Sequence, residues 1–430
     1  MKLNRNVAYV LSASMFLSSC VTPGGEFSNI GPKLSSFFEQ PPEIKNITVQ
    51  EGLKLDVVIP VFDPGIPKNP TEEQNLTEEE KKSIWPELRR AEATKFALMM
   101  KRSLESTEAF GAVRVTPDQN STGDLYVLGK IEESNGEDVE IKIKVVDISG
   151  KTWVDTSFDH RVSEQFHTSV RNEGKDPYDP VFEAATKNIV ESLKDVKAKE
   201  LTVLKSITDL RFAASFSESE FSKYLGKKEG LLGPDDFFGF GGNRITLVRM
   251  PADNDSKFIK TKAIRVRDQL FVDNLQTHYQ KFESKMNESY AVWQEQSLQE
   301  AKAAREAEAK ATGQAVAGGL LIGLAIVAAV AGARNNNYNY NPGPSIAATL
   351  GAAAGGALLA NSFRTSDEAK VYRDALSELG QSIDLEIGPQ VVEFEKKTIE
   401  LTGDAAEQFA QWRTFLKEIY LAQATPEKRL

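Results

Sequence analysis

The chain has very few residues that form disulfides or bind transition metals. Its 430 residues include one cysteine, Cys20, and three histidines, His160, His167 and His278. A single cysteine excludes a disulfide within the chain and a metal site built from several thiolates. His160 and His167 have no cysteine and no third histidine beside them, so we expect them to be polar surface residues rather than metal ligands.

Motifs that identify enzymes are also lacking. The chain contains no H-E-x-x-H, no G-x-S-x-G and no G-x-x-x-x-G-K-[ST] pattern. The glycine-rich run at residues 239–242 lacks the lysine and hydroxyl that a phosphate-binding loop needs. We interpret Asp235, Asp236 and the glutamates at 78–80 as solvated loop residues. The sequence therefore favours a non-enzymatic protein with no catalytic residues, no cofactor and no metal.

The chain also has no excess of basic over acidic residues. The formal net charge is −10, and hydrophobic residues make up 40% of the chain. Binding to nucleic acid needs clustered lysine and arginine to contact phosphates, so we expect no nucleic-acid partner. The length and the hydrophobic content are sufficient for two or three domains.

The N-terminus carries the strongest signal in the chain. Lys2 and Arg5 precede a mostly apolar run at residues 7–17, and the run ends in Leu-Ser-Ser-Cys at residues 17–20. A positive start, a short apolar run and small residues before a cleavage point are typical of a secretory signal peptide, here residues 1–19. The Leu-Ser-Ser-Cys run resembles the lipobox of bacterial lipoproteins. The alternative is an ordinary secretory signal with an incidental cysteine.

The lipobox resemblance implies that Cys20 is lipidated. In that family the thiol is diacylated, the peptide is cut before the cysteine, and the new amino group is acylated. Several acyl chains together anchor a protein stably in a membrane. Val21, rather than aspartate, follows the cysteine, which by resemblance implies an outer-membrane lipoprotein of a Gram-negative bacterium that faces the periplasm. Residues 20–46 are then a lipidated tether, rich in glycine, proline and serine.

Residues 47–200 alternate between strand and helix patterns. Residues 84–106 repeat apolar side chains every three or four positions, which is typical of an amphipathic helix. Residues 139–145 alternate between apolar and charged side chains, so the face that bears Lys144 is expected to be solvated. The predicted order is β-α-β-β-β-α. This order gives an α+β fold with helices against one face of a mainly antiparallel sheet.

Three runs in this region form a recognisable pattern: EATKFALMMKRSLESTEAFGAVRV, DLYVLGKIEES and VEIKIKVVDISGKTWVDTS. The pattern resembles the periplasmic domain of curli-secretion-channel-type lipoproteins. Val145, Val146, Asp147, Ser149 and Gly150 carry the resemblance most directly. It implies the fold of that domain. No segment matches the membrane-spanning β-hairpins of that family, so a channel of that kind is not implied.

Residues 201–261 are expected to connect this domain to a helical domain at residues 262–430. The helical domain opens with large apolar side chains spaced by three and four, which is typical of a helix packed along one face. These side chains are Phe271, Leu275, Tyr279, Phe282, Met286, Tyr290 and Trp293. The absence of a stop signal predicts one helix from about 262 to 333.

The C-terminal segment is expected to return beside this helix. Apolar residues at helical spacing follow residue 366, and a second stripe includes Val392 and Ile399. Pro389 is expected to kink or break that stripe because proline lacks an amide hydrogen. A last helix is predicted after Gly403, bearing large aromatic residues such as Trp412.

Residues 313–362 are predicted to form a glycine-zipper hairpin at the far end of the long helix. Two uncharged apolar segments flank a polar turn, with Gly319 and Gly323 in the first and Gly351 and Gly355 in the second. Residues four apart lie on one face of a helix, so these glycines allow two helices to approach closely. Two readings stay open: the hairpin enters a membrane, or it packs within an oligomer or against the returning helices.

These features favour a non-enzymatic outer-membrane lipoprotein with an envelope-assembly or scaffolding role. Its expected partners are the membrane, further copies of the chain and other envelope proteins. One alternative is a component of an envelope transport or secretion pore built from oligomerised hairpins. Another is an envelope enzyme whose site no motif shows, which a buried cluster of polar residues would support.

Overall fold

A computed structural model provides the fold. It describes residues 54–67, 84–229, 243–318, 369–394 and 397–424, with the backbone alone at 228–229, 243, 304–318 and 423–424. All of these residues belong to one compact unit. The predicted signal peptide, the predicted tether and most of the predicted hairpin lie outside the described residues.

Five strands form one mixed sheet. The elements in chain order are β1 (Val57–Pro60), α1 (Pro86–Ser106), β2 (Val113–Thr116), β3 (Leu125–Ser134), β4 (Asp138–Asp147) and β5 (Thr152–Arg161). The spatial order is β2-β1-β3-β4-β5. Strand β1 runs parallel to β2 and β3, whereas β3, β4 and β5 form an antiparallel meander. Helix α1 supplies the crossover that the adjacent parallel strands β1 and β2 require.

The α+β class is confirmed, but the predicted number of strands is wrong. After β5 the chain forms α2 (Asp179–Leu193), so four strands lie between α1 and α2 where the predicted order has three. The shortest of the four is β2, an edge strand that pairs with β1 over four positions.

The alternation in β4 is confirmed on the core face only. Ile141, Ile143 and Val145 are fully buried, as the pattern predicts. The opposite face is not solvated throughout, because Lys144 is only 4% exposed. Its Nζ lies 3.9 Å from Oδ2 of Asp155 on the neighbouring strand β5. A buried ammonium group needs such a partner.

The turn between β4 and β5 contains three of the residues that carry the family resemblance, Asp147, Ser149 and Gly150. Oδ1 of Asp147 accepts hydrogen bonds from the backbone N–H of Ser149 (2.8 Å) and of Lys151 (3.0 Å). Oδ2 accepts from Nε1 of Trp153 at 2.8 Å. Gly150 has a φ of +86°, a conformation that glycine adopts without strain. These residues therefore shape a tight hairpin turn.

The connecting region packs on the sheet. It contains α3 (Ala198–Phe216), α4 (Glu218–Phe221), β6 (Leu225–Glu229) and β7 (Asn243–Leu247), the last two forming a separate two-stranded sheet. The predicted boundary after residue 200 falls inside α3. Thr208 on α3 donates to Oδ1 of the buried Asp124 at 2.6 Å, so this helix is joined to the sheet that precedes it.

The long helix, α5, extends over Ser256–Gly318. It begins six residues before the predicted start because Asp255 caps it: Oδ1 of Asp255 accepts from the backbone N–H of Lys257 (3.0 Å) and of Phe258 (2.9 Å). Its 63 residues correspond to roughly 95 Å at 1.5 Å per residue. The predicted stripe is confirmed, since all seven of its side chains are buried. The predicted end at residue 333 lies outside the described residues.

The C-terminal elements pack along α5. They are α6 (Lys370–Leu379), β8 (Gln390–Phe394), β9 (Lys397–Leu401) and α7 (Ala405–Ala424). The predicted last helix is confirmed in α7, where the Trp412 ring stacks on Phe271 of α5 with centroids 5.2 Å apart. One continuous core includes buried side chains from Leu55 to Tyr420.

The predicted second helical stripe is wrong. Val392 and Ile399 lie opposite each other in the antiparallel hairpin of β8 and β9. Helix α6 has already ended at Gly380, whose backbone passes so close to α1 that an added Cβ would lie 1.7 Å from the carbonyl oxygen of Glu87. Pro389 then precedes β-branched residues that favour strand, and in so short a segment periodicity does not separate strand from helix.

A side chain of α5 forms hydrogen bonds with the edge strand β2 of the sheet. The amide of Gln276 accepts from the backbone N–H of Val115 at 3.0 Å and donates to the backbone C=O of the same residue at 2.8 Å. Val115 lies in the edge strand β2 and is fully buried. Gln276 therefore takes the place of a neighbouring strand, and it satisfies backbone groups that an open edge would leave unpaired.

We expect Gln276→Leu to lower the free energy of unfolding by about 1–3 kcal/mol, because it leaves a buried donor and a buried acceptor without partners. Gln280→Leu, at an exposed position one turn further along α5, is the matched control. Urea denaturation measures the loss, and hydrogen exchange reports on the amide of Val115. Equal stability of the two variants would show that the cap does not stabilise the fold.

Candidate functional site

A buried polar cluster lies where α5 crosses the α+β region. Its side chains come from α1, from the end of β3, from the segment before α2 and from α5. We define the Glu92 cluster as Glu92, Lys95, Ser134, Asp176, Tyr178 and Tyr290. All but Asp176 are buried, and Asp176 is partly buried. A buried polar cluster of this kind is the feature that would support the alternative of an envelope enzyme whose site no motif shows.

Glu92 is the centre of this cluster. Its Oε1 accepts hydrogen bonds from Oγ of Ser134 at 2.6 Å and from the Tyr290 hydroxyl at 2.8 Å. Its Oε2 lies 3.8 Å from Nε of Arg89, which is close enough for charge attraction but too far for a hydrogen bond. The Tyr178 hydroxyl accepts from the backbone N–H of Gly136 at 2.8 Å, beside Ser134.

Lys95 joins the same region to α5 by a second set of bonds. Its Nζ lies 3.1 Å from Oδ2 of Asp176 and 3.1 Å from Oδ1 of Asn287 on α5. The ammonium group also lies 4.9 Å from the ring centroid of Tyr290. Gln294, two turns further along α5 than Asn287, donates to Oδ1 of Asp176 at 3.1 Å. Three residues of α5 therefore make specific polar contacts here.

Burial changes the acidity of the carboxyl groups. Because Glu92 has no exposed surface, desolvation raises its pKa from an ordinary value of 4.5 to about 7, although Arg89 opposes the shift. Burial, and next to it the charge of Asp176, raises the pKa of Asp179 to about 6. Burial and the neighbouring Glu92 hold the pKa of Tyr290 well above its usual range, so this hydroxyl stays a donor.

The cluster is suited to holding a proton and positioning a helix. Glu92 is completely enclosed, and one of its oxygens already accepts two internal hydrogen bonds. Neither of the two clefts presented below is lined by Glu92, Ser134 or Tyr290. A substrate would have to displace packed side chains to reach this carboxylate. The geometry thus favours a structural role.

A polar cleft of about 260 Å³ lies between α5 and the loop after α6. Basic and acidic side chains line it together: His278, Lys281, Lys285, Glu378, Asp384 and Glu386. Burial and the charge of Lys281 lower the pKa of His278. Because charges of both signs are present, the cleft does not select a ligand of either charge. A second cleft, of about 410 Å³, is more open and mainly apolar, with Phe62, Ile66 and Leu128 in its wall.

The predicted functional residues are not brought into these sites. Cys20, Gly319, Gly323, Gly351 and Gly355 all lie outside the described residues. His160 lies in β5, His167 in the loop after it, and His278 far away on α5. Within the described ranges, no group of three histidine, cysteine or carboxylate side chains is placed to hold a metal ion.

The Glu92 cluster was missed by motif reasoning because its members are far apart in the chain. Glu92 and Tyr290 are separated by 198 residues. One signal was present in the sequence. Glu92 lies four residues from both Leu88 and Phe96, so it occupies a position on the buried stripe of α1 where an apolar residue is expected.

Comparison with known protein families, with characterised proteins and with solved structures finds no match to this chain. Among the helices that the structure describes, none is both long and apolar enough to cross a bilayer.

The raised pKa of Glu92 predicts a dependence of stability on pH. The unfolded chain loses this proton near pH 4.5 and the folded protein near pH 7, so the free energy of unfolding falls as pH rises across this window. The change amounts to about 3 kcal/mol, at 1.36 kcal/mol for each pKa unit.

We therefore expect Glu92→Gln to gain stability relative to the parent protein between pH 5 and pH 8. Denaturation at both pH values measures this gain. Glu105→Gln, at an exposed position of the same helix, is the control. Its free energy of unfolding is expected to change with pH as that of the parent protein does. If Glu92→Gln also tracked the parent protein at both pH values, the carboxyl group would have an ordinary pKa and the interpretation of the cluster would be wrong.

Proposed function

We propose that this protein is a non-enzymatic outer-membrane lipoprotein with a scaffolding or assembly role in the envelope of a Gram-negative bacterium. The observation that carries the scaffolding role is the construction of α5. Leu298 is its last buried side chain among those described, and the helix backbone continues for 20 residues to Gly318. That continuation spans roughly 30 Å and leads directly into the glycine-rich segment.

A scaffold needs a rigid connection between its parts, and α5 supports this requirement. Its N-terminal two thirds pack into the core, cap β2 through Gln276 and contact the Glu92 cluster through Tyr290. A rotation of the helix would break all three sets of contacts together. The α+β domain is therefore a suitable surface for other envelope proteins, with the hairpin held at the end of a fixed helix.

The proposed anchor and the proposed oligomer rest on sequence. The lipobox resemblance supports lipidation of Cys20, and the rows Gly319/Gly323 and Gly351/Gly355 support close helix packing between or within copies. A second candidate function is a transport or secretion pore assembled from several hairpins. The same glycine rows favour it.

The enzyme alternative is weaker than either proposal. The buried polar cluster that would support it exists, but Glu92 is enclosed on all sides and is hydrogen-bonded to residues of two other elements, β3 and α5. The polar contacts of Glu92 and Lys95 join α1 to α5, to the end of β3 and to the segment before α2. These contacts support helix docking, and we infer no reaction.

Lipidation is tested by metabolic labelling. Radiolabelled palmitate is expected to label the parent protein and not Cys20→Ala, because no other cysteine is available. Cell fractionation is expected to place the parent protein with the outer membrane and to release the variant into the periplasm. Equal labelling of the two proteins would contradict the anchor.

Oligomerisation is tested at the glycine rows. Replacing Gly319, Gly323, Gly351 and Gly355 with leucine is expected to reduce the oligomeric state in detergent, because the added side chains separate the helices. Palmitate labelling of Cys20 should be unchanged.

Leucine at Ala325 and Ala353, which lie off the glycine rows, is the matched control and should leave the oligomer intact. Light scattering and crosslinking in detergent and in liposomes measure the result. A parent protein that is monomeric in both would contradict the zipper and the pore together.

A further inference from the structure

A strongly basic segment interrupts this acidic chain. Residues 243–267 contain seven lysines and arginines and two aspartates, a net charge of +5, whereas the whole chain has a net charge of −10. The segment includes β7, the turn that follows it and the first three turns of α5. Every residue of this segment lies within the described part of the chain.

The same part of the molecule exposes apolar side chains. Nine large hydrophobic side chains are exposed among the described residues, and five of them lie between residues 248 and 270. These five are Val248, Met250, Ile259, Val266 and Leu270, with exposed fractions between 38% and 61%. Exposed apolar groups that collect in one place, rather than being scattered singly, indicate a contact surface.

Three of these side chains line one face of α5. Ile259, Val266 and Leu270 are seven and four residues apart, so at about 100° per residue they point within roughly 20° of one direction. Phe271 and Leu275 lie on the opposite side and are buried in the core. Helix α5 is thus apolar on both sides at its start, one side facing the core and one facing outward.

Carboxylates of neighbouring helices offset part of the basic charge. Lys257 forms an ion pair with Glu220, and Arg265 forms one with Asp209. Nζ of Lys262 lies 3.6 Å from Oδ2 of the same Asp209. Two carboxylates therefore face three cations at this end of the molecule.

Other cations of the segment are held by neutral groups. Lys260 donates to the backbone carbonyl of Tyr420 at 2.8 Å, and Arg267 lies 5.4 Å from the ring centroid of Phe394. Arg249 lies 5.5 Å from the ring centroid of Tyr224. Lys260 and Arg267 lie on α5 itself, beside its outward row.

We propose that Ile259, Val266 and Leu270, with the basic side chains around them, form a face that docks on an anionic phospholipid bilayer. A helix with an aliphatic row flanked by lysine and arginine lies in the interface between headgroups and acyl chains. Anionic headgroups complement the local charge, which is +3 when the carboxylates of Asp209 and Glu220 are set against the +5 of residues 243–267. This face would bring the folded domain itself onto the membrane, in addition to any anchor at Cys20.

The size and shape of this face favour a bilayer over a protein. Three partly exposed aliphatic side chains on a convex helix supply far less than the roughly 800 Å² per partner that a stable protein interface buries. None of the three side chains lines either of the two described clefts. Attraction to a charged bilayer needs no groove.

The test uses the full chain carrying Cys20→Ala, so that no acyl chain contributes and the result is independent of the proposed lipid anchor. Flotation is measured with phosphatidylglycerol–phosphatidylcholine vesicles and with pure phosphatidylcholine vesicles. We expect binding to the anionic vesicles that weakens as salt is raised. The triple variant Ile259→Gln, Val266→Gln, Leu270→Gln is expected to bind the anionic vesicles at least about tenfold more weakly.

Val371→Gln with Val391→Gln is the matched control, because these side chains are even more exposed (75% and 71%) but lie on α6 and β8. We expect the control to bind as the parent protein does, and unchanged thermal melting to show that both variants fold. Equal binding to neutral and anionic vesicles, or unchanged binding of the triple variant, would overturn the proposal. A triple variant that lost self-association but kept vesicle binding would instead assign the face to a second copy of the chain.

Discussion

The apolar stripe of α5 is the feature on which the rest of the described fold depends. Its large side chains, from Phe271 to Trp293, would be costly to expose, so other elements must cover the helix along most of its length. Strand β2 and helix α1 cover it from the part of the chain that precedes it, and helices α6 and α7 cover it from the part that follows. Residues that sequence alone would assign to separate domains therefore share one core.

Polar contacts then select one position of α5 among those that apolar packing permits. Apolar burial is not directional, whereas the bonds of Gln276 to Val115 and of Tyr290 to Glu92 form in one register only. Burial makes the ionised form of the Glu92 carboxyl group unfavourable, and the raised pKa of Glu92 results from this free-energy cost. The proposed scaffolding role depends on this fixed register, because it determines where the glycine-rich segment begins.

Local patterns predicted the elements well wherever a segment was long and strongly periodic. The alternation in β4 and the stripe of α5 are both confirmed, because side-chain direction follows directly from strand and helix geometry. The pattern failed at Val392 and Ile399, where five-residue strands are too short to distinguish a period of two from a period of 3.6. The start of α5 lies six residues before the predicted 262, at the turn that Asp255 caps.

By itself the sequence determined the fold class, the helices α1, α2, α5 and α7 and the lack of recognisable catalytic motifs, and it supplied the whole basis for the proposed lipidation at Cys20. These properties depend on composition and on local spacing. Only the tertiary structure decided that Glu92 is enclosed, that Gln276 caps β2 and that the described outward row of α5 is exposed. Each depends on contacts, or on missing contacts, between residues far apart in the chain, such as the 198 residues between Glu92 and Tyr290. No local pattern contains that information.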